Sequence, residues 1–192
     1  MKVMLPFFKS ISLKKIRVSY NDTNKAFNKV RNELFKLGFF SDVLDEVECE
    51  YQQTPLGAFI NTGSVCASGY FDNENKIFIP GFIIGRDCSI LDTIRHEFGH
   101  ALAFKNKPLF NSNKFIKAFG GRYGEEAPYQ NKNWEEYCVS AYAATSTQED
   151  FAETFMLFLK QKGKMKKKQA QNKYIKAKWK FIESIKILSN SK

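Results

Sequence analysis

The sequence predicts an α+β domain: a small mixed β-sheet, a helix bearing His96-Glu97-Phe98-Gly99-His100, and a mainly helical C-terminal half. Three observations lead there. Up to Pro80, short runs alternate apolar and polar residues, which is the strand pattern. From Cys88 onward, apolar residues recur three and four apart, which is the helix pattern. Both histidines of the 192-residue chain fall in that one five-residue word.

Ile16–Tyr20 alternates and reads as a first strand. Asp22 or Thr23 is placed to cap a helix that runs to about Leu37, with Ala26, Phe27, Val30 and Leu34 on its apolar side and Gly38 at its end. Val43–Tyr51 alternates again, and further short strands are expected at Gly57–Asn61 and Val65–Phe71. Asp72-Asn73-Glu74-Asn75 reads as a turn. Lys76–Pro80 is a strand stopped by Pro80 and Gly81. The next helix starts near Cys88–Asp92 and carries Ile90, Leu91, Ile94, Phe98, Ala101 and Leu102, so Phe98 faces the core. Gly99 lets another element approach this helix closely. Pro108–Tyr129 reads as loop with a short helix at Asn113–Phe119. Trp134–Tyr142 reads as helical. Ser146, with Glu149 at capping-box spacing, opens a helix to Lys160. Gly163 breaks it. A last amphipathic helix aligns Ile175, Trp179, Ile182 and Ile185.

Length and a 43% apolar share suit one core. The expected organisation is a catalytic-type domain over residues 1–160 and a basic amphipathic helix over 161–192 packed on it. The net charge of +10 is a property of the tail: twelve lysines against one acid, Glu183, lie between Lys160 and Lys192, so the rest is slightly acidic. No apolar run reaches the roughly 18–20 residues of a membrane helix. Met1–Phe8 lacks the features of a signal peptide. The expected location is cytoplasmic, or outside by export without a cleavable signal. Cys49, Cys66, Cys88 and Cys138 form no C-x-x-C pair, and the expected state is small, reduced and buried, with one or two disulfides as the alternative.

The word His96-Glu97-Phe98-Gly99-His100 is the H-E-x-x-H pattern of zinc-dependent hydrolases. Residues four apart on a helix share a face, with Cβ atoms about 5–6 Å apart. Two imidazoles so placed can hold one zinc ion. Glu97 is then in position to act on water as general base. A catalytic zinc takes a third protein ligand and keeps one position open. With no histidine left, that ligand is a carboxylate or a cysteine; the slots of the longer H-E-x-x-H-x-x-G-x-x-H pattern hold Ala103 and Asn106. The best carboxylate lies in Gln148–Phe155. Glu149 is assigned as ligand, and Glu153, one turn on, as the acceptor for a histidine's other ring N–H. Asp150 is the reserve. Ala152 allows this helix close to the metal helix, with Phe151, Phe155 and Phe158 toward the packed side. The oxyanion of a hydrolysis needs a donor besides zinc. Tyr142 is the first candidate, with Tyr123 and Tyr129 in reserve.

Taken together, His96-Glu97-Phe98-Gly99-His100, Tyr142 and Glu149-x-Phe151-Ala152-Glu153 resemble the catalytic domain of anthrax lethal factor and the related Pro-Pro endopeptidases. Asn111–Ile116 also looks like the lethal factor type. Val139–Ala143 followed by Glu149–Thr154 is equally similar to a family of bacterial zinc-binding metallopeptidases of undefined substrate. The likeness covers about Cys88–Lys160. It implies a zincin-like fold with a glutamate third ligand (a gluzincin), one zinc per chain and a protein or peptide substrate. It also implies that the tyrosine seven residues ahead of the glutamate ligand, Tyr142, assists catalysis. The substrate is expected to lie extended along an edge strand, Lys76–Pro80. A rival reading is a zincin-like binding protein whose lysine-rich helix contacts nucleic acid or an acidic partner, with Tyr174 and Trp179 available for stacking. A third is a protease that cuts a single partner.

Overall fold

The computed structural model describes residues 14–39, 42–53, 69–71, 74–85, 89–129 and 133–189. The strand expected at Gly57–Asn61, the first part of Val65–Phe71, Asp72 and Asn73 of the turn, the Met1–Phe8 segment, Cys66 and Cys88 lie outside these residues. In chain order the elements are β1 (Lys14–Arg17), α1 (Tyr20–Lys36), α2 (Asp42–Asp45), β2 (Glu48–Gln52), β3 (Gly69–Phe71), β4 (Lys76–Pro80) and β5 (Phe82–Gly85). The helical half follows as α3 (Ile90–Lys105), α4 (Lys107–Phe110), α5 (Asn113–Phe119), α6 (Trp134–Tyr137), α7 (Thr147–Lys160), α8 (Lys167–Gln171) and α9 (Lys173–Ser189). No helix among the described residues is long and apolar enough to cross a membrane.

The sheet is small and mixed. β4 pairs parallel with β2 (Glu48↔Lys76) and antiparallel with β3 (Gly69↔Phe78), in the order β2-β4-β3. Lys76–Pro80 is therefore the central strand and not the edge. Its run Ile77-Phe78-Ile79-Pro80 is buried throughout, as befits a strand covered on both faces. Beyond Pro80 the chain does not stop pairing. Gly81 N–H donates to the Gln52 carbonyl, the Gly81 carbonyl accepts from Val18 N–H, and β5 then pairs antiparallel with β1.

Local chemistry corrects other boundaries. Ser19, rather than Asp22 or Thr23, caps α1, because its side chain accepts from Asp22 N while the Asp22 carboxylate returns to Ser19. Residues 42–45 form a helical turn, not a strand, and bury Leu44 ahead of Val47. Pro108 sits in the first turn of α4, where a missing N–H costs nothing. The helix begun at Trp134 ends after Tyr137, because Cys138 is extended.

One apolar core joins both halves. Phe98 of α3 stacks on Phe27 of α1 with ring centroids 5.4 Å apart. Phe110, Phe115, Phe119 and Phe151 cluster around Phe181 of α9. Ile175, Trp179, Ile182 and Ile185 are all buried, and Trp179 Nε1–H donates to Gly163 O at 3.2 Å. Arg95 anchors α3 by a two-pronged pair with Glu33 of α1 (both 2.8 Å) and a contact with Asp92, which also holds Lys160 of α7 at 2.6 Å.

The tightest contact is between α3 and α7. A Cβ built on Gly99 lies 3.0 Å from Ala152 Cα and 3.4 Å from Phe155 Cδ1. The obstacle is backbone, so it cannot step aside. Gly99→Val is expected to lower stability by about 1–3 kcal/mol, as overpacking does, read as a lower urea midpoint at unchanged slope. An unchanged midpoint would show that the two helices have room to separate.

Candidate metal centre

α3 presents His96 and His100 on one face, as residues four apart must be. α7 crosses that face with its first turn. Ser146 caps α7 by accepting from Glu149 N at 3.3 Å. Glu149 does not return its carboxylate to the cap, as a capping box would. It turns toward the histidines instead. Glu149 Oε2 lies 3.1 Å from His96 Nε2 and 3.5 Å from His100 Nε2, and the two Nε2 atoms are 3.0 Å apart. Among the described residues, these three side chains form the group that could hold a metal ion.

The other ring nitrogens are engaged. His96 Nδ1 is 2.9 Å from Glu153 Oε1, and His100 Nδ1 is 3.0 Å from Tyr123 Oη. Nδ1–H of His96 donates to the Glu153 carboxylate, which leaves the Nε2 lone pair toward Glu149. His100 takes the same tautomer when its Nδ1–H donates to Tyr123. Ser140 Oγ donates to Glu153 Oε2 at 2.7 Å and accepts from Ala143 N at 3.0 Å. The chain of contacts thus runs from a loop, through Ser140 and Glu153, to His96.

With both rings in this neutral tautomer, two nitrogen lone pairs and the buried Glu149 Oε2 face one another, and only a further proton on a ring would give that oxygen a donor. Three acceptors at one point fit a cation. Electrostatics agree. Burial opposes a charge on His96, yet hydrogen bonds to Glu149 and Glu153, with the charges of Glu97 and Glu153, raise its pKa to about 10. Burial likewise opposes charge on Glu149, but His100 and His96 hold its carboxyl well below the usual range. A point that attracts a proton this strongly attracts any cation placed there. Two imidazoles and one carboxylate are a zinc donor set with one position left open.

Glu97 is buried beside the tripod, and its charge helps raise the pKa of His96, Tyr123 and Tyr142 alike. Tyr142 is 54% exposed at the rim, with its ring 5.9 Å from that of His96. Burial of its phenol and the nearby Glu149 charge push its pKa up, so it stays protonated. Tyr123 serves as the partner of His100. Tyr129 is turned away and stacks on Tyr137 at 4.3 Å. Asp150 faces the opposite side of α7 and pairs with Lys178 at 2.5 Å, out of the ligand group. Cys49 and Cys138 are free thiols outside the cluster, with pKa values pushed by burial to about 12 and about 11.

Ser140 was not legible as a site residue, and Tyr123, a reserve oxyanion donor in the sequence, is instead the partner of His100; each joins through a turn rather than a periodic element. Lys178 did leave a signal: it lies three residues after Ile175 and four before Ile182, on the apolar face of the last helix.

Metal ligands are oriented by such outer contacts, whose loss costs about 10–100-fold in metal affinity. Ser140→Ala and Tyr123→Phe are each expected to weaken zinc binding by about that factor in a chelator competition, with little change in folding. Unchanged affinity would reduce Ser140 to a loop cap and Tyr123 to a packed aromatic.

The sequence model of a family described as "Putative zinc-binding metallo-peptidase" matches residues 87–187, more than half of the chain. That stretch holds the tripod, Glu97, Ser140, Tyr142, Glu153 and most of α9. No curated protein and no solved structure matches the chain.

Proposed function

The chain belongs to the family described as "Putative zinc-binding metallo-peptidase", and from that premise we propose that it is a zinc-dependent endopeptidase with Glu97 as general base. The observation that carries this is the convergence of His96, His100 and Glu149 on one point with Glu97 buried beside them. A structural zinc site has no use for such a carboxylate. Family membership implies a peptide or protein substrate.

His96, His100 and Glu149 would hold the ion, one per chain. Zinc supplies Lewis-acid chemistry there: it acidifies water and polarises a carbonyl oxygen. Glu97 accepts the water's proton as the water attacks the peptide carbonyl, then delivers that proton to the departing amine. Tyr142 donates a hydrogen bond from its phenol to the oxygen that becomes negative. Its raised pKa supports this, since a phenol must keep its proton to donate. The resemblance to lethal factor-like peptidases, where a tyrosine seven residues before the glutamate ligand assists, supports the same role. Glu153 and Tyr123 keep both histidines in the tautomer that presents Nε2. The rival reading as a binding protein has the exposed lysines of α8 and α9 behind it, such as Lys167, Lys168, Lys176 and Lys180. It gives no role to Glu97.

The zinc-loaded protein, incubated with a diverse peptide library and read by mass spectrometry, is expected to yield products that are absent with Glu97→Ala. Glu97→Ala should retain zinc and lose about 10²–10⁴-fold in rate, the share of a general base. Tyr142→Phe should retain zinc and slow turnover by about 10²–10³-fold, the share of an oxyanion donor. Glu149→Ala should lose zinc. Equal cleavage by Glu97→Ala would remove Glu97 as base. An absence of products from any peptide would leave a protease confined to one partner protein, or a binding protein.

A further inference from the structure

One side chain of α9, Lys178, contacts the residue next to Glu149. Lys178 is completely buried, although it comes from the most basic stretch of the chain. Its Nζ lies 2.5 Å from Asp150 Oδ2, donates to the Tyr137 carbonyl at 2.6 Å and stands 3.8 Å from Cys138 Sγ. Asp150 is the residue after Glu149 and is also completely buried, with Thr154 Oγ1 donating to its other oxygen at 3.4 Å. Two pieces that also touch through Ser140 and Glu153 therefore meet at one ammonium. The first is the opening turn of α7, which carries Glu149 and leads to Glu153. The second is the Tyr137–Cys138 bend, from which the loop with Ser140 and Tyr142 departs.

Such a pair is a poor source of stability. Desolvating two charges cancels most of their attraction, and apolar replacements are often as stable or more so. What the pair does provide is direction. An ammonium with three donors fixes Asp150 and the Tyr137 carbonyl at once, where a methyl group would let them slide. Ser140 lies two residues beyond Cys138 and donates to Glu153, whose other oxygen contacts His96 Nδ1.

We propose that Lys178 is a positioning residue of the metal centre: it holds the Glu149-bearing turn of α7 in register with the Ser140–Tyr142 loop, so that the last helix sets the metal affinity of the site. The proposal deepens the zinc reading and rests on it. It gives the buried face of the basic helix a task that its exposed lysines do not share.

The test compares wild type, Lys178→Met and Lys178→Met/Asp150→Leu. The readouts are the zinc Kd by chelator competition, the thermal midpoint of the metal-free protein and the visible absorption of the cobalt-loaded protein. Lys178→Met is expected to weaken zinc by about 10–100-fold, the range for lost outer contacts. The double variant replaces the whole pair with apolar side chains. It is expected to regain the wild-type thermal midpoint while zinc stays at least about 10-fold weaker and the cobalt bands remain shifted. A double variant that regains zinc affinity together with stability overturns the proposal, and so does wild-type affinity in Lys178→Met. If Lys178→Met does not fold, the double variant decides by the same criteria. A wild-type protein that binds no zinc overturns the zinc reading itself, which keeps the two failures apart.

Discussion

The close crossing of α3 and α7 at Gly99 and Ala152 is the constraint on which the site depends. His96 and His100 flank Gly99 on α3, and Glu149 and Glu153 flank Ala152 on α7. With almost no side chain between the backbones, His96 comes within hydrogen-bond distance of His100, Glu149 and Glu153, and His100 within 3.5 Å of Glu149. The rest of the fold braces that crossing. Phe98, Phe151 and Phe155 bury the inward faces of both helices, and Arg95 and Asp92 tie α3 to α1 and to the end of α7.

That geometry also determines the chemistry. Three carboxylates and two imidazoles share a small, mostly buried volume, and with both imidazoles neutral their acceptors outnumber their donors. A divalent cation satisfies them. The uncompensated Glu149 oxygen and the high pKa of His96 are two views of one excess of negative potential. Around it the protein places groups that stay neutral at ordinary pH, the phenols of Tyr123 and Tyr142 and the hydroxyl of Ser140. They can donate hydrogen bonds without competing for the metal. The Lys178–Asp150 pair lies behind α7, outside the ligand group.

Much of this was legible in the sequence, and for physical reasons. His96, Glu97 and His100 are read from helical periodicity, which holds wherever a helix forms. Glu149 followed from elimination of histidine and from the one-turn spacing to Glu153. The close approach of α7 followed from Gly99 and Ala152. What was not legible depends on pairings across distance or on turns. The central position of β4 is set by its neighbours, since the sheet order β2-β4-β3 cannot be read from a single strand. The continuation past Pro80 into β5 depends on a partner, β1, more than sixty residues away. Ser19 captured the cap of α1 because its hydroxyl and Asp22 can bond reciprocally, and no such return bond is available to Asp22 or Thr23. Lys178 left only its spacing from Ile175 and Ile182 as a signal, and that was masked by the many lysines around it.

The most direct test of this account is X-ray absorption at the zinc edge of the zinc-loaded full chain. Two imidazole nitrogens at about 2.0–2.1 Å and one carboxylate oxygen at about 2.0–2.2 Å are predicted, completed by a further light atom. A sulfur at about 2.3 Å would bring a cysteine into the site, and an all-oxygen shell would remove the histidines from it. Either result would contradict a centre built on the crossing of α3 and α7.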